Sequence, residues 1–447
     1  MEVQNSNAAT HWISGLKSKH TAHFFALLAI ATVFGGGGVR YGIMNAVVQL
    51  SALVILAFKP SQAVNFFRHA PTPLRILVAL TLLLPLLQLV PLPPLLWNAL
   101  PGRAVEAQSL ALIDQSQHWM TWTTDPARTL VAFIGLLAPF TILATAGDHS
   151  SRLHASVFKW ITGLGIANIM IGAIQLASGR QLLNWYGGGN PSHLYGTFAN
   201  HNSAGLFLVI ALCSLLGIET GDCPSRRMTK AAFGTLLTSG VFLTQSRSSI
   251  ALLIIPAIQL LLQYLCAAPR RPLFQGSYMA AISVLAALGA LSALAMGNSK
   301  AGEILHRFDD LRDARPMIWQ DSLVAISRYW PAGSGIGTFD EVFQIDESLE
   351  NANSHLAGRA HNEYLELLLE SGLFGGLLAL GWLIYGLRLT RSHAYRIHSH
   401  FLAPISAIMA ISMQSLLDYP LRNQAIMCTA AAMIALLVAG SERTRHR

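Results

Sequence analysis

His361, followed by Asn362, stands where a polar stretch gives way to a continuous apolar run, HNEYLELLLESGLFGGLLALGWLIYGL. Imidazole is the side chain whose ordinary pKa lies close to neutral pH, so it can take a proton from a hydroxyl and release it again. Placed at the mouth of a membrane helix, it reads as the candidate general base of an enzyme working at a membrane surface. Arg247, in FLTQSRSSIALLIIP, is flanked by apolar stretches with few polar residues between them, which puts its guanidinium at or just inside the exterior membrane surface. A charge at the bilayer centre costs roughly 2.5 to 3.5 kcal/mol, less near the interface, and such residues usually face a wet cavity or an anion. No acidic residue lies within a turn of Arg247, so an outside anion is its natural partner, with snorkelling to solvent as the alternative. Arg315, in DARPMIW, has Asp309, Asp310 and Asp313 close in sequence and reads by itself as part of a surface ion-pair array.

Other polar residues take structural readings first. Asp418 and Arg422, in DYPLR, are close enough to pair across the turn that closes the last hairpin. Glu363, Glu366 and Glu370 share one helix face where the helix dipole favours negative charge, with Asn362 as N-cap. Glu366 or Glu370 could also orient the histidine. Residues 178–201, GRQLLNWYGGGNPSHLYGTFANHN, combine Gly, Asn and His with Tyr and Trp. That mixture suits either plain turns or sugar recognition, which needs hydrogen-bonding groups beside flat apolar rings.

The elements that must position these residues are membrane helices. Hydrophobic residues make up 53% of the chain and charged residues 12%, against the usual quarter or so, and apolar stretches of about 17 to 25 residues recur throughout. Twelve spans are expected, near 22–38, 41–58, 74–93, 129–146, 159–178, 202–219, 231–246, 249–267, 278–297, 365–387, 401–418 and 423–440. The first apolar segment lacks a cleavable signal pattern and is expected to remain as a helix. Lys17, Lys19, Lys59, Arg68, Arg226, Arg227, Lys230, Arg270, Arg271, Arg388, Arg391 and Arg443 fall on one face, which assigns both termini to the cytoplasm. The net charge of +8 then reflects cytoplasmic anchoring rather than nucleic-acid binding. Cys213, Cys223, Cys266 and Cys428 offer neither a CxxC nor a pair on an oxidising face.

Two exterior segments interrupt this single integral membrane domain, 1–447. Residues 93–128, with PLPPLLW, Trp119 and Trp122, suit an exterior loop lying along the interface. Residues 298–360 form a large exterior insertion between the ninth and tenth spans, read as two helical pieces. Pro316 opens the second, and Ile318, Trp319, Leu323 and Ile326 recur near helical spacing. The following PAGSGIGTF lacks nucleotide-loop spacing and reads as tight backbone turning near the site.

Taken together, these motifs resemble the O-antigen ligase and polymerase superfamily of bacterial membrane glycan transferases. The likeness rests on His361-Asn362-x9-Gly372-x-x-Gly375, on GTFANHNSAG with Asn200 and Asn202, on TQSRSS with Arg247, on LLDYPLR with Asp418 and Arg422, and on RPMIWQDSLVAISRYWPAGSGIGTF with Arg315 and Trp319. It covers roughly residues 160 to 430, within a ligase-like core drawn at 160–440. The sequence departs at His201, between the two asparagines, where the family varies.

The resemblance implies an all-α polytopic protein of GT-C-like architecture in the bacterial inner membrane, with a periplasmic active site. It implies transfer of a glycan from undecaprenyl diphosphate to a hydroxyl of lipid A core, another glycan or a further acceptor. It implies catalytic His361, Arg247 and Arg315, the arginines clamping the diphosphate while His361 deprotonates the acceptor and the anomeric configuration inverts. Asn200, Asn202, Trp319, Asn362, Glu366, Asp418 and Arg422 are implied as substrate-binding residues. No cofactor and no metal are expected. Asp309-Asp310 lies among arginines, and the exterior histidines show no ligand spacing. The competing reading, a transporter or flippase of lipid-linked glycan, would more usually show paired repeats and midplane ionisable sites, neither of which is visible.

Overall fold

A backbone inside a bilayer must satisfy its polar groups internally, and this apolar chain does so with helices. The computed structural model describes residues 21–38, 40–146, 151–221, 223–267, 315–350, 358–393 and 399–445. Its first part runs α1 (Thr21–Phe34), α2 (Gly42–Phe58), α3 (Pro60–His69) and α4 (Thr72–Gln88). Two short helices, α5 (Pro94–Asn98) and α6 (Ala104–Leu112), precede α7 (Pro126–Thr145), α8 (Ser151–Ala177), α9 (His201–Gly217), α10 (Pro224–Leu243), α11 (Arg247–Leu252) and α12 (Ile254–Ala267). Then follow α13 (Arg315–Tyr329), α14 (Phe339–Asp346), α15 (Glu363–His393), α16 (Ser399–Gln414) and α17 (Gln424–Arg445).

Helices lie over every expected span except 278–297, which falls outside the described residues together with 298–314. Segments Pro126–Thr145, His154–Ala177, Arg247–Leu265 and Glu363–Arg391 are long and apolar enough to cross a membrane. The pair α2 and α3 passes the same test together but bends by 80° between Phe58 and Pro60, and several other apolar helices are shorter than a full crossing.

Helix α9 is the axis of the core. Residues Ser203 to Leu215 and Gly217 are all buried, as befits a helix apolar around its whole circumference. It packs against α8, α10 and α16. Gly205 lets α11 lie against it, since a Cβ there would stand 2.4 Å from Ser249 Oγ. This close approach brings the SRSS segment onto the start of α9.

Residues 93–128 fold back on α4 through a two-residue ladder, Pro91 opposite Thr121 and Leu92 opposite Met120. Trp97 is buried and donates from Nε1 to the Thr121 carbonyl at 3.0 Å, while Leu95, Leu112, Ile113 and Trp119 are exposed. Arg103 is buried beneath the Tyr329 ring, 5.5 Å from its centroid, and donates to the Trp122 carbonyl. Burial pulls its guanidinium pKa down, against the pull of Glu106. The 93–128 loop is thereby fastened to α13.

Candidate active site at the His361 turn

The signature glycine of the His361 segment acts through backbone geometry. Gly372 has φ +53° and ψ −139° inside α15, a conformation open essentially to glycine, and it breaks the helix. A Cβ there would lie 2.0 Å from the Pro331 carbonyl oxygen. Into the break comes PAGSGIG: Ser334 and Gly335 amides donate to the Leu369 and Glu370 carbonyls at 3.0 and 2.9 Å, and Leu373 donates to Pro331 at 3.0 Å. Gln88, wholly buried, joins the same knot by donating to the Glu370 carbonyl at 3.0 Å and accepting from the Ile336 amide at 2.9 Å. The Gly-rich bend therefore caps the first segment of α15 at its far end.

The near end of that segment carries the histidine. Asn362 is the N-cap, its Oδ1 accepting from the Tyr364 and Leu365 amides at 3.1 and 3.3 Å. His361, one residue earlier, has φ +50°. A non-glycine residue held there costs roughly 1 to 3 kcal/mol, so its surroundings must fix it. They do so through Ala360, whose amide donates to Glu366 Oε1 at 3.0 Å and whose carbonyl accepts from Trp319 Nε1 at 2.9 Å.

His361 is partly exposed, and its Nδ1 lies 3.3 Å from Asp418 Oδ1. Asp418 is buried, and its Oδ2 accepts from Asn202 Nδ2 at 3.1 Å and Asn200 Nδ2 at 3.5 Å. Asn202 Oδ1 in turn accepts from the Ser246 hydroxyl at 2.8 Å, and Ser246 caps α11, whose first residue is Arg247. Asn200 caps α9 with its other side-chain atom, accepting from the Asn202 amide at 2.8 Å. One chain of polar contacts thus joins the HN, DYPLR, ANHN and SRSS motifs, which lie as far apart as residues 200 and 418. Nε2 of His361 makes no hydrogen bond among the described residues, so it is the ring nitrogen left for a proton-transfer partner.

Beside this lies a cluster of ions. Arg422 Nη2 is 2.6 Å from Glu370 Oε2 and 3.5 Å from Glu366 Oε2, and its Nε is 4.0 Å from Glu363 Oε1. Arg359 Nη1 is 3.0 Å from Glu366 Oε2. Burial works against the charge of Arg422, but Glu370, Glu366 and Glu363 together hold its pKa above the ordinary arginine value. Glu363 Oε2 also accepts from the Ser415 hydroxyl and the Leu421 amide at 3.0 and 3.2 Å, which fastens the DYPLR turn to α15. Tyr419 packs 5.2 Å from the His361 ring, its hydroxyl pushed up to about 12 by burial and by Asp418.

Two sequence expectations change here. Asp418 and Arg422 do not pair across their turn: the aspartate turns to His361 and Asn202, the arginine to the glutamates of α15. Glu366, expected to touch substrate, has no exposed surface, and both of its oxygens are taken by Arg359, Ala360 and Arg422. It supports the turn from behind. The residue that holds the imidazole is Asp418 rather than Glu366 or Glu370.

The structure brings His361, Asp418, Asn202 and Asn200 into direct contact and seats Trp319 against the histidine turn. Arg247 is exposed at the start of α11, and Arg315 is partly buried at the start of α13, one turn before Trp319. The acidic partners considered for Arg315, at 309, 310 and 313, lie outside the described residues. Sequence reasoning missed Arg359 and Ser246. Arg359, two residues before His361 and ahead of three glutamates on one face, carried a signal in that charge pattern; Ser246 carried one in its place before α11. Among the described residues no cluster of His, Cys, Asp and Glu has the arrangement of a metal site.

Residues 232–380 match the family model described as O-Antigen ligase. The match contains Arg247, Arg315, Trp319, His361, Asn362, Glu366, Gly372 and Gly375, while Asn200, Asn202, Asp418 and Arg422 reach the site from outside it. No curated protein matches the chain.

Proposed function

From the premise that this chain is a member of the O-antigen ligase and polymerase family, we propose that it transfers a glycan from undecaprenyl diphosphate to an acceptor hydroxyl at the periplasmic face of the bacterial inner membrane. At the family level this is ligase-type glycan transfer by a membrane protein. The finer reading assigns twelve spans, both termini in the cytoplasm and the His361 turn on the periplasmic side.

One observation carries the mechanism: His361 is held in a strained backbone conformation with Nδ1 on buried Asp418 and Nε2 unengaged. In the proposed step, Nε2 accepts the acceptor hydroxyl's proton as that oxygen attacks the anomeric carbon. The bond from that carbon to the diphosphate oxygen breaks, and its electron pair leaves with the diphosphate. Attack from the opposite side inverts the configuration. Asp418 keeps the ring oriented and steadies the imidazolium that forms. Arg247 and Arg315 donate to the diphosphate as its charge grows, a task suited to planar guanidinium forks. Asn200 and Asn202 hold Asp418, while Trp319 and Asn362 hold the backbone on either side of the histidine. Neither metal nor cofactor has a part in this scheme, because the arginines supply the positive charge.

The test is transfer by purified protein in detergent, with a polyprenyl-diphosphate-linked glycan and a hydroxyl acceptor. We expect His361→Ala to abolish transfer and Arg247→Ala and Arg315→Ala each to impair it. Wild-type transfer by the histidine variant would end the base assignment, and wild-type transfer by both arginine variants would end the clamp.

A further inference from the structure

The run Gly35 to Gly38, which follows α1, has no part in the proton transfer or the diphosphate clamp. In the structure it touches two of the motifs that build the His361 site. The Gly36 carbonyl accepts from the Ala199 amide at 3.0 Å, and the Gly35 carbonyl accepts from the Ala425 amide at 3.1 Å. Ala199 immediately precedes Asn200. Ala425 stands just past the DYPLR turn, and its amide is shared with Asn423 Oδ1 at 3.1 Å. The end of α1 therefore stitches the ANHN motif to the DYPLR turn through backbone, where Asn200 and Asn202 join them by side chain through Asp418.

The fit leaves no room for a side chain at Gly36. A Cβ there would stand 1.9 Å from the Thr197 carbonyl oxygen and 2.9 Å from Phe198 Cα, both backbone atoms that no rotamer change can move. Residues 196–199 are not loose enough to give way, because a second element, α8, holds them too. Asn168 Oδ1 accepts from the Thr197 amide and hydroxyl at 2.7 and 3.0 Å. Gln175 exchanges two hydrogen bonds with the Gly196 backbone, at 2.9 and 2.8 Å. Both side chains are buried in a segment long and apolar enough to cross a membrane, where polar groups are costly unless engaged. The end of α1 is fixed in its turn by Tyr186, whose hydroxyl donates to the Phe34 carbonyl at 3.0 Å.

What depends on this seat is the place of Asp418. Its Oδ2 accepts from Asn200 and Asn202, and its Oδ1 lies 3.3 Å from His361 Nδ1. A shift at Ala199 therefore reaches the imidazole through Asn200 and Asp418, and misplacing a reacting group by about 1 Å can cost roughly 10²-fold in rate. Resting on the reading of His361 as the base and Asp418 as its orienting partner, we infer that Gly36 is a positioning residue of this active site. The end of α1 sets where the ANHN motif and the DYPLR turn meet, and thereby where the imidazole points. Helix α1 lies outside the residues matched by the family model, so a part of the chain beyond that match completes the site.

The test uses the full chain in detergent, with rates counted per folded protein and kcat separated from KM for donor and acceptor. Gly36→Ala should lower kcat about 10- to 100-fold with both KM values little changed. Gly38→Ala, where an added Cβ meets nothing within 4 Å, should transfer like the wild type. The decisive readout is a double variant. If Gly36 acts through Asp418, adding Gly36→Ala to Asp418→Asn lowers kcat no further, since the link it disturbs is already cut, whereas independent structural damage multiplies the two losses. Should Gly36→Ala fail to fold, Asn168→Ala, which loosens the same segment from α8, replaces it in the cycle with the same expectation. Wild-type kcat in Gly36→Ala, a raised KM in place of a lowered kcat, a multiplied loss in the double variant, or a Gly38→Ala as slow as Gly36→Ala would overturn the inference. His361→Ala keeps the two readings apart. Wild-type transfer by that variant strikes the base itself, whereas its loss beside a fully active Gly36→Ala strikes the positioning role alone.

Discussion

The turn at residues 359–362 faces two polar clusters that differ in how fully they are matched. On the Glu363, Glu366 and Glu370 side, Arg359 and Arg422 are enclosed by carboxylates, and Glu370 Oε1 is the carboxylate oxygen left without a hydrogen bond. On the Asp418 side, a single carboxylate gathers three side-chain nitrogens from two segments, the start of α9 and the His361 turn, and the imidazole it holds keeps its second nitrogen open. The first cluster is buried and spends its cations on its own carboxylates, and so serves architecture. The second is incomplete by one partner, and that vacancy is where chemistry can occur.

The largest effect that tests this contrast is on rate. His361→Ala should lower transfer about 10² to 10⁴-fold, the range for loss of a general base, while the unfolding temperature in detergent stays near wild type. A large loss of stability there would erase the distinction between the clusters. Arg422→Ala should do what the histidine change does not and destabilise the chain by about 3 to 5 kcal/mol, because buried carboxylates lose their cation. Thermal unfolding in detergent measures this, and an unchanged transition would show the ion cluster to be dispensable. Asp418→Asn should keep the fold and lower kcat roughly 10²-fold through misplacement of the imidazole, with KM little altered. A fall in KM-dependent binding alone would move Asp418 from orienting the base to holding substrate. Smallest is Arg128→Ala, which removes a pairing with Glu341 at 2.7 Å between two partly exposed side chains and should cost no more than about 1 kcal/mol and no activity. A larger loss would mean that partly exposed ion pairs matter as much as buried ones.

Much of the fold could be read from the chain because apolar length and helical structure go together in a membrane protein. Helices accordingly lie over each expected span within the described residues. The contact of His361 with the ANHN and DYPLR motifs was legible only as a likeness of motifs, since nothing local links residues 200, 361 and 418. The cross-turn pairing of Asp418 with Arg422 failed for a physical reason. Sequence distance tells what can reach, but burial decides what must be neutralised, and Glu370 inside the protein demanded a cation more than Asp418 did. The short helices α5 and α6 within 93–128 escaped because they bury little, Trp97 in α5 and no residue in α6, so no inward-facing apolar stripe marks them.

The interruption at Gly372 reaches beyond local geometry. With the Leu369 and Glu370 carbonyls bonded to the Ser334 and Gly335 amides and the Leu373 amide bonded to the Pro331 carbonyl, both sides of the break in α15 are tied to the same Gly-rich bend. The short segment that starts at the His361 turn and the long apolar segment beyond it therefore share one fixed pivot instead of one unbroken helical ladder.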